Sequence, residues 1–440
     1  MKRHLVIIIG ILSILLSSGC SSKKENIDLV ESSKDKVITG LVIYQDEDKS
    51  YIALDNQSIY IVSRIDASVN DYVDITYEGD IDSTKDYQEI SILKVEKEDN
   101  EYKILGLNND KEDDAIRIVN KMSLESVVGS LFMPHHTSSS LEDVSKYHLG
   151  GLVLFGAAFK NKTKEEILKM IEELQSKADY PLFLAVDEEG GSVVRVSSNK
   201  NLRSEIFSSP RSLYNTGGFE LIRSDNREKN ELLKSLGLNI NLAPVLDIST
   251  DKNDYIYYRS IGLSPSLTGE FAKVIIESSK DSGIVNVMKH YPGYGKNKDT
   301  HKTSSLDTRS MEEVESDLIP FKMAIDSGAE AIMISHNTVE VLDSTNPASI
   351  SISNHNYLRN TLDFKGMVIT DALNMGATAD IDDIGLKAIL AGNNIIITKN
   401  YARDIESIIN YVKEGTLSEA YLRSLAVKVI SWKISMGLIK

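Results

Sequence analysis

Three short stretches of this 440-residue sequence combine acids, bases and turn-forming residues in patterns that could do chemistry. In Gly366-Met367-Val368-Ile369-Thr370-Asp371, a carboxylate ends an otherwise apolar run, where burial would be costly unless Asp371 faces a polar site. In Lys289-His290-Tyr291-Pro292-Gly293-Tyr294-Gly295, continuing to Asp299-Thr300-His301, the proline and glycines build an irregular loop. Asp299 and His301 can pair within that loop, the carboxylate orienting the imidazole and raising its basicity, which makes a proton carrier. In Asp187-Glu188-Glu189-Gly190-Gly191-Ser192-Val193-Val194-Arg195, the paired glycines permit a tight turn that aims Asp187 and Arg195 into one pocket. A solvated loop for the last stretch and an exposed histidine for His301 are the bland alternatives.

What positions these residues is an alternation of apolar runs and amphipathic stretches beginning near Asp114. Strands are predicted at Ser130–Pro134, Gly151–Phe155, Leu182–Val186, Ile240–Val245, Asn286–His290, Ala331–Ser335, Met367–Thr370 and Asn394–Thr398. Helix-length patterns lie between most of them, as at Lys164–Lys177, Leu267–Ser282, Met311–Ser327 and Ile384–Leu390. The expected fold class is α/β, a (β/α)8 TIM-type barrel, because this alternation fits a closed barrel better than an open sheet. Asp187, Asp247, Lys289-His290 and Asp371 then fall at strand ends on the carboxyl rim, where such barrels carry their sites.

Ahead of the barrel, Val37–Tyr44, Ser50–Leu54, Ser58–Val62, Tyr72–Tyr77 and Glu89–Val95 read as five short strands, a small OB-like all-β module. Its acidic character and lack of an aromatic-plus-basic groove favour a spacer or docking role over oligonucleotide binding. The expected layout is a signal segment at 1–19, a flexible tether at 21–36, the β-rich domain at 37–97 and the barrel domain at 113–440.

The export reading rests on Lys2-Arg3, the apolar run Leu5–Leu16 and Ser17-Ser18-Gly19-Cys20. Cys20, the only cysteine, sits where a bacterial lipoprotein is lipidated, so the expected location is outside the cytoplasm, held at the cell membrane by lipid alone. A net charge of −16 argues against nucleic acid and against an anionic membrane surface as partners. No metal or other cofactor is expected, since His135-His136 lack a clustered acid. No Gly-x-Ser-x-Gly elbow supports a serine hydrolase.

Taken together, the three stretches resemble glycoside hydrolase family 3, in its NagZ-type β-N-acetylglucosaminidase branch. The likeness spans about Asp114 to Lys440 and includes Lys121-Met122-Ser123-Leu124-Glu125, Gly150-Gly151-Leu152-Val153-Leu154-Phe155 and Asn241-Leu242-Ala243-Pro244-Val245-Leu246-Asp247. The resemblance implies Asp371 as nucleophile, His301 as general acid/base with Asp299 orienting it, and Asp187, Arg195, Arg259, Lys289 and His290 as sugar-binding residues. It implies retention through a covalent glycosyl-enzyme. The expected reaction is exo-cleavage of terminal β-linked N-acetylglucosamine, with cell-wall muropeptides as the expected substrate. Three departures stand out: Glu188 replaces the usual Gln, Ser192 the common Arg, and Tyr294 the histidine of the Pro-Gly-His-Gly loop.

Competing readings are a family 3 β-glucosidase, an N-acetylglucosamine phosphorylase and a non-catalytic wall-binding lipoprotein. The glucosidase branch places a glutamate acid/base on a further C-terminal domain, for which the sequence after the eighth strand leaves no segment. Phosphorolysis stays open, because a neutral imidazole repels phosphate less than a carboxylate does. Presence of Asp371, Asp299 and His301 argues against a non-catalytic protein.

Overall fold

The computed structural model describes residues 36–82, 85–98, 110–295 and 305–440, with backbone alone for 110–112. The signal segment, Cys20 and nearly all of the tether lie outside the described residues. No described helix is long and apolar enough to cross a membrane.

Five antiparallel strands come first: β1 (Lys36–Gln45), β2 (Lys49–Ala53), β3 (Ile59–Ser63), β4 (Tyr72–Glu78) and β5 (Ser91–Glu98). They are ordered β3-β2-β1-β4-β5, and a parallel bridge from Ile61 to Tyr87, just ahead of β5, brings the two ends toward each other. This is the ring order of a small OB-like barrel. Alternation along the strands splits their apolar side chains between two cores. Ile38, Val42, Ile52, Val62, Val73 and Ile75 fill the small barrel. Leu41, Ile43, Ala53, Ile59 and Ile61 join the core of the large one.

The large barrel contains β6 (Gly151–Leu154), β7 (Phe183–Val186), β8 (Ile240–Asn241), β9 (Val285–Tyr291), β10 (Leu306–Asp307), β11 (Ala331–Ile334), β12 (Thr338–Val339) and β13 (Met367–Thr370). Six of these form one parallel sheet in the order β13-β11-β9-β8-β7-β6. Two segments close the ring. Ile369 bridges Ile395, Phe132 bridges Ile396, and His135 bridges Val153, all in parallel. The eight predicted strands are therefore the eight staves, two of them joined by single bridges instead of continuous ladders. Fully buried strands such as Gly151–Leu154, Phe183–Val186 and Ala331–Ile334 explain why the sequence there is unbroken apolar run. Observed helices at Lys164–Gln175, Pro265–Ser279, Met311–Asp326 and Ile384–Ala391 match the amphipathic stretches to within a few residues. Ser or Thr caps start the first three of them, so their N-terminal N–H groups are satisfied locally.

The seating of the small barrel on the large one is partly polar. The Asn356 amide brackets the Ile59 backbone, accepting from its N–H at 3.0 Å and donating to its carbonyl at 2.7 Å. Ser58 Oγ donates to Asn360 at 2.6 Å, and Ser418 N–H donates to the Ile43 carbonyl at 2.8 Å.

Candidate active site

The loop after β7 is built around its glycines. Gly190 and Gly191 have φ of 97° and 65°, values that L-residues rarely adopt. A Cβ on Gly190 would lie 2.2 Å from the Ser208 carbonyl oxygen. Buried Glu188 knits the loop together, accepting from the N–H groups of Arg195 and Val196, each at 2.7 Å, from that of Ser197, and from the Ser197 hydroxyl. Its own N–H donates to Asn241 Oδ1 on β8 at 3.0 Å. The glutamate at the position where Gln is usual is thus a loop organiser.

On the rim, acids and bases alternate. Lys289, in β9, donates to Asp187 Oδ1 at 2.8 Å and lies 2.7 Å from Glu189 Oε1. Arg259 grips the same Glu189 with two prongs, Nε to Oε2 at 2.9 Å and Nη2 to Oε1 at 2.7 Å. Burial alone would raise the Glu189 pKa, but Arg259 and Lys289 outweigh it and hold the carboxylate far below its usual range. For Lys289 the signs reverse: burial lowers its pKa, Asp187 and Glu189 raise it, and the net shift is upward. Arg259 Nη2 also meets His290 Nε2 at 3.2 Å, while His290 Nδ1 lies 2.7 Å from Asp247 Oδ2. The tautomer that satisfies both contacts carries its proton on Nδ1, leaving Nε2 to accept from the guanidinium.

Asp371 follows β13 and is a half-buried residue. Its N–H donates to the Ile334 carbonyl at 2.9 Å, and its Oδ1 accepts from the Ala372 N–H at 2.7 Å. Burial pushes its pKa up, but His336, that N–H and Lys289 push it further down, so the group is a carboxylate at neutral pH. His336, two residues beyond β11, meets the Ala372 carbonyl at 3.0 Å through Nε2 and Ser349 Oγ at 2.8 Å through Nδ1. Arg195 lies over the Phe155 ring, 5.3 Å from its centroid, and His135 packs on the same ring at 4.6 Å. The buried Nε of Arg195 has no hydrogen-bond partner among the described residues.

Asp187, Arg259, Lys289 and His290 are thus joined in one hydrogen-bonded lattice, with Asp371 within electrostatic reach and Arg195 on the wall beside Phe155. Asp299 and His301 lie in 296–304, outside the described residues. Both stems of that segment are in view. Tyr294 is buried, donates its N–H to Asp247 Oδ1 at 2.8 Å and packs edge-on against His290 at 5.3 Å, so it works as a wedge in the loop's first stem. Sequence reasoning placed Asp247 on the rim without giving it a role, set His135 aside as a metal ligand, and left out Glu189 and His336. His135 stands near a strand's carboxyl end, a signal that could have marked it; Glu189 and His336 acquire their partners only through the fold.

The profile described as the glycosyl hydrolase family 3 N terminal domain matches residues 123–432. Beta-hexosaminidase LpqI of Mycobacterium tuberculosis is 27% identical over 304 residues, covering 66% of this chain and 77% of the relative. A beta-hexosaminidase of Nitrosomonas eutropha is 30% identical over 265 residues, covering 57% of this chain and 74% of its own. A solved glycoside hydrolase family 3 beta-N-acetylglucosaminidase from Paenibacillus sp. superposes with a TM-score of 0.67 at 25% identity, covering 72% of this chain and 63% of that one. With the matched span running from the first stave to the last helix, and every described rim residue inside it, this chain belongs to glycoside hydrolase family 3 and groups with its β-hexosaminidases.

Proposed function

We propose that this hydrolase is a retaining exo-β-N-acetylglucosaminidase acting outside the cytoplasmic membrane on peptidoglycan fragments, tethered through a lipidated Cys20. The observation that carries the reading is Asp371: a half-buried residue whose carboxylate is held anionic, with one oxygen fixed by a backbone N–H, at the end of a barrel stave. Such a group is built to attack an anomeric carbon. In the proposed cycle, Asp371 forms the bond to that carbon while His301, oriented by Asp299, gives its proton to the leaving oxygen. His301 then takes a proton from water, which displaces Asp371 with net retention. Asp187 accepts from sugar hydroxyls, Arg195 donates to hydroxyl or acyl oxygens, and Arg259 with Lys289 and His290 fixes the wall they form.

The test is to compare an aryl β-N-acetylglucosaminide with the matching β-glucoside, with and without inorganic phosphate, following the first-formed anomer by NMR. The account expects preference for the acetamido sugar, β-configured N-acetylglucosamine released first, and no sugar 1-phosphate. An α-configured first product or a sugar 1-phosphate as the main product would overturn it. Defined muropeptides then test the wall substrate, and metabolic labelling of Cys20 with a fatty acid tests the anchor.

A further inference from the structure

Residues 335–353 leave the carboxyl end of β11 as one excursion, and four separate parts of the molecule meet on it. His336 holds the Ala372 carbonyl next to Asp371. Asn337 donates through Nδ2 to the Gly293 carbonyl at 3.2 Å, on the stem that enters segment 296–304. Thr338 N–H donates to the Ser305 carbonyl and Glu340 N–H to the Asp307 carbonyl, each at 2.9 Å, so the β10–β12 pair holds the stem that leaves it. Both ends of the segment expected to carry Asp299 and His301 are therefore clamped by residues 337–340.

The far side of the excursion is gripped by the small barrel. Asp86, on the approach to β5, accepts from Ser353 N–H and Ser353 Oγ, each at 2.6 Å, and from Asn346 Nδ2 at 3.2 Å. Asp343 caps the intervening turn, accepting from Thr345 N–H at 2.8 Å and Asn346 N–H at 3.0 Å. Burial and the neighbouring Asp343 push the Asp86 carboxyl up, to about 6.

We infer that the N-terminal β-barrel is a working part of the catalytic apparatus, with Asp86 as a positioning residue that holds the 335–353 excursion and, through it, the stems of the acid/base loop. The inference rests on the proposed role of His301. A spacer would only need to connect; this module is hydrogen-bonded to the polypeptide that clamps both stems. Loosening the grip misplaces the proton donor by small distances, which costs rate without changing how the sugar is held in the Asp187–Lys289–Glu189–Arg259 lattice. Its signature is a fall in kcat at nearly constant KM, largest where the leaving group most needs a proton.

The experiment measures kcat and KM of the full-length protein on aryl β-N-acetylglucosaminides with a poor leaving group (phenyl) and a good one (dinitrophenyl). Asp86→Ala is expected to lower kcat about tenfold on the phenyl substrate and less than about twofold on the dinitrophenyl one, with KM steady. Asn346→Ala removes the side-chain hydrogen bonds to Asp86 and Asp343 but keeps those of Ser353, and is expected to act in the same direction by about two- to threefold, which keeps the test available if Asp86→Ala does not fold. Asp74→Asn, on the same module away from the excursion, should leave both substrates unchanged. His301→Ala is run alongside. If it shows the leaving-group dependence while Asp86→Ala and Asn346→Ala keep wild-type kinetics, or lose rate equally on both substrates, the inference is overturned alone. If His301→Ala shows no such dependence, the acid/base reading fails and takes the inference with it.

Discussion

Glu189 shows how the site distributes charge among individual residues. Its carboxylate is shared by Arg259 and Lys289, and all three are largely buried. Removing one partner of a buried ionic group leaves uncompensated charge, typically at a cost of about 3–5 kcal/mol. Glu189→Gln is therefore expected to lower the unfolding free energy by about 3 kcal/mol in denaturant titrations. An unchanged midpoint would mean that the lattice does not hold the rim together. The sign of the pH effect follows from the depressed Glu189 pKa: its stabilisation is present above the ordinary carboxylate range and is lost as pH falls through the native value. The place of Asp371 on the rim was legible because a lone acid ends an apolar stave, and that of Asp187 because glycines follow it. Glu189 was not, since Arg259 lies 70 residues away and nothing local distinguishes Glu189 from two neighbouring acids.

Among the elements, the loop after β7 depends most visibly on one backbone choice. Gly190→Ala puts a Cβ into the Ser208 carbonyl and forces a positive φ on an L-residue. A shift of the loop to relieve this moves Asp187 and Glu189, which flank the turn, relative to Lys289. We expect kcat/KM to fall by about 10²-fold with the barrel still folded by circular dichroism, as misplacement of about 1 Å in a site typically costs. Activity within twofold of the parent would show that the turn does not set the geometry of Asp187. Staves and helices were legible because apolar runs and 3.6-residue periodicity are local properties. Two features were not. The closing staves were expected at 130–134 and 394–398, but no propensity encodes that single bridges join them, and the stem contacts of Asn337–Glu340 link residues whose neighbourhood exists only after the barrel closes.

For the molecule as a whole, the floor of the large barrel holds a lysine that has no carboxylate partner among the described residues. Lys433, on the helix Glu419–Ser435, is buried, donates to the Gly150 carbonyl at 2.9 Å and lies 4.8 Å from the Phe183 ring centroid. Burial pulls its pKa down to about 7. Unfolded, the amine would hold its proton up to the usual lysine range, so folding expels a proton between about pH 7 and 10.5. Stability should therefore rise with pH across that window. Lys433→Met keeps the length of the side chain and leaves the Gly150 carbonyl its bond from Phe183 N–H at 3.0 Å. We expect it to stabilise the protein by about 1–3 kcal/mol at pH 7, with the gain shrinking toward pH 10. A loss of stability at both pH values would contradict this. The two-barrel plan was legible at this scale from the switch in periodicity near Asp114, but the tight seating of the small barrel was not. It needs Leu41, Ile43, Ile59 and Ile61 to turn outward from their own sheet, and strand alternation alone does not say what covers the outer face.

The central claim, that Asp371 is the atom donor to the anomeric carbon, is tested most directly by trapping. A slow fluorinated N-acetylglucosaminyl fluoride should leave one glycosyl group on the protein, and peptide mass spectrometry should place it on the fragment containing Asp371, with no label in Asp371→Asn. A glycosyl group on another residue would contradict the account, as would inverted product formed with no labelled protein at all.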